Sequence, residues 1–247
     1  TDRNSCFIQP NHPQTEIFKY SNARYRDKII EMDREIGAMI DELEKEGLLE
    51  NTFIFYYGDH GGVLPGSKGY MKETGLHVPL VVHIPEKYKN MVNLEPGTES
   101  SAFVSFVDFG ATVLNLAGVK IPEGMDGKAF LGKDVSKSDL ASRDETYSYA
   151  DRFDEKYDMV RSVRKGKYKY VRNYQPFNYE GLWNNYRYRQ AGFRQWLEMY
   201  KNGELNDIQA EFFKTKKPEL LYDIEADPFE TNNLANNPEN KEVMQEF

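Results

Sequence analysis

An acid, a histidine and a lysine lie close together in one short segment of the sequence. Asp59 and His60 directly follow the run NTFIFYYG, two glycines come next, and Lys68 stands nine residues after the acid. A carboxylate offers a hard oxygen to a divalent cation, and a neutral imidazole offers a nitrogen. Gly61 and Gly62 allow close approach of the backbone to a bound group. A lysine adds positive charge for an anionic substrate, so the segment predicts a metal and anion site.

A purely structural interpretation of the same residues is also open at this point. In it, Asp59 caps the next turn, His60 packs locally and Lys68 is a solvated surface charge. Asp-His-Gly is a short and common string, so its spacing alone does not separate the two interpretations.

The elements around this segment alternate in the order of an α/β fold. Apolar residues recur at steps of three and four from about Asn22 to Glu46, which predicts a helix that Gly47 ends. The apolar runs NTFIFYYGD and VPLVVHIP predict two buried strands, and SFVDFGATVLNLAGV predicts a second helix. Ligands of such folds bind at the carboxyl ends of strands, where Asp59 and His60 fall. We therefore predict part of a mainly parallel α/β sandwich.

The character of the sequence changes after about residue 132. ETYSYA, MVRSVRKG and KYKYVRNY are short, aromatic and β-branched, and the turn signal around Gly166 predicts that the last two form a hairpin. FRQWLEMYKNGELNDIQAEFFK returns to helical spacing. We predict that residues 1–132 belong to the α/β domain and that residues 133–247 form a smaller α+β subdomain with a short antiparallel sheet.

Composition excludes several classes of partner. The chain has 247 residues and a formal net charge of −8, which argues against nucleic acid or an acidic membrane surface. It contains no run of 18 apolar residues, so no membrane partner is expected. Cys6 is the only cysteine, so no internal disulfide can form.

The stretch NTFIFYYGDHGGVLPGSKGYMKETGLHVPLVVHIP resembles the second signature region of the sulfatase family, within the alkaline-phosphatase superfamily. YRDKIIEMDREIGAMIDELEKEGLLENT, VSFVDFGATVLNLAGVKIPEGMDGKAFLG, MVRSVRKGKYKYVRNY and LYDIEADPFETNNLA are similar to further landmarks of that family. The resemblance covers roughly residues 22 to 240. Through GDHGGVLPGSK and RQWLEMYKNGELNDIQAEFFKTKKPELLYD, the chain most resembles the heparan N-sulfatase (sulfamidase) branch. It implies an alkaline-phosphatase-like fold and hydrolysis of sulfate esters or sulfamates.

The resemblance also assigns roles to the residues of the first segment. Asp59 and His60 match the second pair of metal ligands of the family, whose metal is usually calcium. Lys68 resembles the basic residue that holds the sulfate group. The implied substrate is a sulfated sugar or glycan, with an N-sulfated glucosamine as the first candidate. The implied location is extracytoplasmic.

The nucleophile of the family is expected outside this chain. Sulfatases use a formylglycine made from Cys or Ser in a C/S-x-P/A-x-R pattern, and Cys6 has neither the Pro or Ala nor the Arg at the required positions. We therefore expect no catalytic residue here, and predict a C-terminal half that is inactive alone. Its sheet would have an uncovered edge, which predicts self-association.

Two other functions stay open. The first is hydrolysis of a phosphoester or phosphonate within the same superfamily, where Asp-His metal pairs are also common. The second is a non-catalytic glycan-binding or structural module. His77 is a further candidate near a substrate cleft, although a packing or hydrogen-bonding role is favoured for it. His12 resembles a family histidine near the substrate, but its flanking residues do not match the family well.

Overall fold

The computed structural model describes residues 1–153 and 155–247. The helices are α1 Glu16–Lys45, α2 Glu73–Leu76, α3 Val107–Leu116, α4 Lys137–Ala141, α5 Ala191–Lys201, α6 Asp207–Ala210 and α7 Lys241–Glu246. The strands are β1 Ile54–Tyr57, β2 Leu80–His83, β3 Glu145–Phe153, β4 Lys156–Lys165, β5 Tyr168–Asn173 and β6 Glu219–Asp223.

Helix α1 begins earlier than the predicted Asn22. Thr15 caps it, because the side-chain oxygen of Thr15 accepts a hydrogen bond from the backbone N–H of Phe18 at 3.4 Å. Gly47, with a φ of 66°, follows the last turn as predicted. The first turn packs on α5, where the ring of Phe18 lies 6.0 Å from that of Trp196. A polar cap and a tertiary contact therefore extend the helix beyond its periodic apolar stripe.

The first sheet has two strands, and they run antiparallel. Ile54 of β1 pairs with His83 of β2, and Tyr57 pairs with Leu80. The predicted mainly parallel arrangement is therefore not found among the described strands of this chain. A parallel pair needs a crossover connection, usually a full helix. Residues 58–79 instead contain only the four-residue α2 and fold back at the carboxyl end of β1.

The second sheet confirms the predicted antiparallel hairpin. Its order is β3-β4-β5-β6, and every pair is antiparallel. Strands β4 and β5 are joined at Gly166, whose φ of 52° suits the tight turn.

Two apolar clusters hold these elements together. The first combines residues from both sides of the predicted boundary at residue 132: Ile8, Phe18, Tyr70, Tyr188, Phe193, Trp196, Phe212 and Phe213. The second lies against the first sheet and contains Val92, Leu116, Phe130, Leu131 and Leu140, with Phe55 and Val82 packed on it. The division into residues 1–132 and 133–247 stays a prediction. Within the described residues, no helix is both long and apolar enough to cross a membrane.

Candidate functional site

The segment between β1 and β2 is a loop whose two arms are joined by backbone hydrogen bonds. The N–H of Lys68 donates to the carbonyl of Gly62 at 3.0 Å, and the N–H of Gly61 donates to the carbonyl of Gly75 at 2.9 Å. Lys68 is thereby held near the start of the loop that carries Asp59 and His60. We name residues 58–79 the site loop.

The close approach of the two arms requires glycine at two positions. A Cβ atom on Gly61 would lie 1.8 Å from the carbonyl oxygen of Thr74, and one on Gly75 would lie 2.3 Å from that of Ser67. Both distances are far below van der Waals contact with backbone atoms that cannot rotate away. The glycines therefore act within the loop itself, in addition to any role in approaching a ligand.

The two predicted metal ligands lie side by side. His60 Nε2 is 3.3 Å from Asp59 Oδ2, and the Asp59 side chain is 82% exposed. His60 Nδ1 lies 2.8 Å from the carbonyl oxygen of Gly61. A carbonyl oxygen only accepts, so Nδ1 carries the hydrogen, and a neutral ring presents the Nε2 lone pair to the carboxylate. The pair can share a proton or a cation between these atoms.

The donor set fits a divalent cation in type but supplies only part of a coordination sphere. Calcium takes about six to eight oxygen ligands, whereas Asp59 and His60 offer one carboxylate and one nitrogen. Throughout residues 1–153 and 155–247, no group of three or more His, Cys, Asp or Glu side chains could hold a metal ion. A complete site would need further ligands from outside these residues.

Lys68 lies in a small open pocket formed with the C-terminal part of the chain. The pocket is lined by Val63, Leu64, Lys68, Tyr186, Arg187, Gln190 and Phe193. Gln190 Nε2 donates to the carbonyl of Val63 at 3.2 Å, which ties the C-terminal segment to the site loop. Tyr186 is 52% exposed beside Lys68. The aromatic composition of residues 179–217 is visible in the sequence, but the pocket that this segment forms with Lys68 is not.

Tyr70, which is buried, anchors the site loop to the C-terminal part of the chain. The Tyr70 hydroxyl donates to the carbonyl of Glu180 at 3.3 Å, and its ring lies 5.4 Å from that of Phe212. The guanidinium of Arg187 sits 4.1 Å from the Tyr70 ring centroid. Burial raises the pKa of Tyr70, and it raises the pKa of Tyr188 to about 12. Both phenols therefore stay neutral near pH 7.

His12 supports the base of the site loop. Its Nε2 donates to the carbonyl of Pro65 at 2.6 Å, and its ring packs 5.0 Å from Phe18 and 5.3 Å from Trp196. The pKa of His12 is lowered from 6.5 to about 4, mainly by burial; the bond to Pro65 opposes this shift, and the charge of Lys72 adds a smaller lowering. The side chain is 1% exposed in this chain. These contacts favour the packing interpretation of His12.

His77 is exposed at the end of α2. It borders a second open pocket with Glu73, Thr74 and Arg164. The pocket linings of Lys68 and His77 share no residue, so the structure does not join these two candidates.

One match to the nucleophile pattern lies away from Cys6, in SYADR at residues 148–152. It lies in β3, the outer strand of the second sheet, where Ser148 pairs with Ser162 of β4. Asp59 and His60 follow β1 of the other sheet, so the described pairing does not bring Ser148 to them. Cys6 is a free, partly buried thiol, as expected.

Comparison with solved structures defines the class of protein first. A protein solved in complex with its substrate D-glucosamine-2-N,6-O-disulfate matches 93% of this chain with a TM-score of 0.64 and 22% identity, and 39% of that chain is covered. A phosphonate monoester hydrolase of Agrobacterium radiobacter matches 88% with a TM-score of 0.59 and 20% identity, covering 38% of that chain. The chain has the mixed α/β fold of the alkaline-phosphatase superfamily.

Sequence comparison then identifies the family. The Sulfatase family model matches residues 4–119. An ulvan-active sulfatase of Formosa agariphila is 41% identical over 241 residues, which cover 97% of this chain and 39% of the relative. An N-acetylglucosamine-6-O-sulfatase of Bacteroides thetaiotaomicron is 35% identical over 107 residues, which cover 42% of this chain and 18% of the relative. The chain belongs to the sulfatase family.

The chain is much shorter than these proteins. It spans 39% of the first ulvan-active sulfatase and 44% of a second one from the same organism. The heparan N-sulfatase branch stays a prediction.

Proposed function

We propose that this chain is the C-terminal portion of a sulfatase that removes sulfate from sulfated sugars. The observation that supports the proposal is the site loop, in which the backbone N–H of Lys68 donates to the carbonyl of Gly62, two residues after His60. The sulfatase relatives support the reaction class. A location outside the cytoplasm is part of the proposal and rests on the family resemblance alone.

Each residue of the site loop has a role that its chemistry allows. Asp59 and His60 would hold a divalent cation, with calcium as the first candidate, together with ligands from the rest of the polypeptide. Such a cation would stabilise negative charge on sulfate oxygens. Lys68 would bind a sulfate oxygen through its ammonium group, and this interaction strengthens as the bond to sulfur breaks. The nucleophile would come from outside this chain, so the chain alone would not turn over substrate.

Exposed aromatic side chains of the C-terminal segment, one of them in the lining of the Lys68 pocket, suit a sugar substrate. Tyr186 and Trp183 are 52% and 59% exposed, and Trp183 stacks 4.4 Å above Tyr188. Exposed aromatic rings provide faces on which sugar rings pack, and Gln190 adds an amide for hydrogen bonding. An N-sulfated glucosamine is the first candidate substrate, and an ulvan oligosaccharide is the second because of the name of the 41% identical relative.

The test uses the complete polypeptide that contains this chain. Its rates on an N-sulfated glucosamine, a 6-O-sulfated sugar, an ulvan oligosaccharide, an aryl sulfate and a phosphonate monoester are compared. Lys68→Ala should reduce sulfate release at least about a hundredfold, roughly 3 kcal/mol in barrier. Lys89→Ala serves as the control, because Lys89 is exposed and pairs only with neighbouring Glu86 among the described contacts.

The substrate panel separates the alternatives. An N-sulfated sugar that is the slowest sulfated substrate by about tenfold or more, about 1.4 kcal/mol, removes the sulfamidase assignment and leaves sulfatase standing. Turnover of the phosphonate alone favours the phosphonate hydrolase alternative. Sugar binding without turnover of any compound favours the non-catalytic module.

Mass spectrometry of Ser148 in the same preparation should find unmodified serine.

A further inference from the structure

Two cations of the second sheet stand opposite each other across a pair of strands. Arg164 of β4 and Lys169 of β5 are direct register partners. Partners in an antiparallel ladder point to the same face, and like charges at such positions repel. The Lys169 side chain is 1% exposed and that of Arg164 is 17% exposed. This buried cationic pair therefore needs an anion from another element.

The site loop supplies that anion. Glu73, five residues after Lys68, forms an ion pair with Arg164 and lies 3.2 Å from Lys169 Nζ through its Oε1. Lys169 Nζ also donates to the carbonyl of Met71 at 2.6 Å. The sheet thus holds the loop at two residues that lie just after Lys68. Glu73 is held by its ion pairs, and Met71 is held by the hydrogen bond to its backbone carbonyl.

A second carboxylate, that of Glu230, completes a cluster of four charged side chains: Arg164, Lys169, Glu73 and Glu230. Glu230 Oε1 lies 2.7 Å from Lys169 Nζ, and Glu230 Oε2 accepts the backbone N–H of Glu73 at 2.9 Å. The Lys169 ammonium has three N–H groups, and Met71, Glu73 and Glu230 provide three acceptors. Two cations face two carboxylates, so the cluster is neutral although it is buried.

The backbone at Glu230 indicates that its side chain is required. Its φ of 54° is the one positive value among the non-glycine residues of the described chain. Such a conformation is strained for a residue other than glycine, and glycine would relieve the strain. A glutamate at this position therefore contributes something that glycine lacks, which here is the carboxylate that bridges Lys169 and the site loop.

We propose that Lys169, Glu73 and Glu230 are positioning residues for Lys68. The cluster fixes Met71 and Glu73, and the bonds from Lys68 to Gly62 and from Gly61 to Gly75 carry that position back to the start of the site loop. The C-terminal sheet thereby determines where the sulfate-binding ammonium stands. This role in turnover rests on the proposed function, whereas the ordering of the loop does not.

The experiment compares two buried lysines in the complete polypeptide. Lys169→Met breaks the cluster, whereas Lys216→Met breaks a different ion pair, that between Lys216 and Asp158, which are 9% and 15% exposed. Hydrogen exchange of residues 61–76 and kcat/KM for the best sulfated substrate are measured for both. Lys169→Met should increase exchange in the loop and lower kcat/KM about tenfold or more relative to Lys216→Met. Lys169→Arg, which keeps the cation, should restore much of both.

A milder matched pair covers the case in which the methionine variants do not fold. Glu230→Gln keeps the shape and an acceptor for the Glu73 N–H but removes the charge, and Asp158→Asn is its control. Equal effects of the two members of a pair on loop exchange and on kcat/KM would overturn the proposal, as would a fully protected loop in Lys169→Met. If the unsubstituted polypeptide turns over no sulfated substrate, the proposed function fails, and loop exchange alone decides the positioning role.

Discussion

In the Asp59–His60 pair, one hydrogen bond to the backbone orients the His60 ring toward the Asp59 carboxylate. The carbonyl of Gly61 accepts from His60 Nδ1, so a neutral ring directs its Nε2 lone pair at the Asp59 carboxylate. Metal-binding histidines commonly use their second ring nitrogen in this way. The residue types and the orientation both suit a cation, but the number of donors does not suffice for calcium.

Calcium binding by this 247-residue chain should therefore be weak. Two ligands leave most of the coordination sphere to water, so we expect a dissociation constant well above the micromolar range. Isothermal titration calorimetry on the chain and on Asp59→Asn measures it. A sub-micromolar constant that Asp59→Asn abolishes would show that this chain holds a complete site.

The buried His12 should make stability depend on pH. Its folded pKa of about 4 lies below the ordinary 6.5, so the unfolded chain binds the proton more tightly. Stability is then complete above about pH 6.5 and decreases as pH falls from 6.5 to 4, by about 3 kcal/mol at most. Urea unfolding at several pH values should give a steeper loss for the unsubstituted chain than for His12→Gln. Parallel curves for the two proteins would refute this prediction.

At the level of elements, the site loop is the feature that organises the rest. It joins two antiparallel strands, so its ends are close together. Backbone hydrogen bonds between its two arms hold the Lys68 backbone near the segment that carries Asp59. His12 supports it through Pro65, Tyr70 anchors it in the first apolar cluster, and Glu73 anchors it on the second sheet. A short loop without these contacts would leave the ammonium group of Lys68 free to sample many positions.

Alanine at the crowded glycines should destabilise the loop. In Gly61→Ala and Gly75→Ala, the added methyl group would overlap sterically with backbone carbonyl oxygens. Overpacking of this kind costs about 1–3 kcal/mol of folding stability. Gly37→Ala in α1 is the control, because a Cβ there has no neighbour within 4 Å. It should stabilise the chain by up to about 1 kcal/mol through helix propensity. Thermal unfolding of the three variants tests this, and loss of stability in Gly37→Ala alone would contradict it.

At the level of the whole molecule, apolar side chains remain exposed on the first sheet and on the outer part of α1. Val81 of β2 is 60% exposed, and Ile30 and Met39 of α1 are 46% and 63% exposed. The net charge of −8 opposes association but is spread over the whole chain. Exposed strand edges and apolar patches of this kind promote contact between copies.

The isolated chain should therefore self-associate. Val81→Lys and Ile30→Lys each add a charge to an exposed apolar surface and should shift sedimentation velocity profiles toward the monomer. Glu86→Gln makes the same change of charge at a side chain that is 77% exposed and polar, and serves as the control. An unsubstituted chain that sediments as a monomer at every concentration would remove the prediction.

Local sequence patterns predict the short-range features of this protein. The β4–β5 hairpin at Gly166, the strands on either side of the site loop and most of α1 follow from apolar periodicity and turn residues, which act over a few positions. The family likewise follows from contiguous motifs.

Strand direction in the first sheet was decided by how residues 58–79 fold back, which no local pattern encodes. The pocket that Lys68 and Tyr186 both line, and the ion pairs of Glu73 with Arg164 and Lys169, join residues far apart in the chain. Only the tertiary structure decides them, because burial selects which charges must meet.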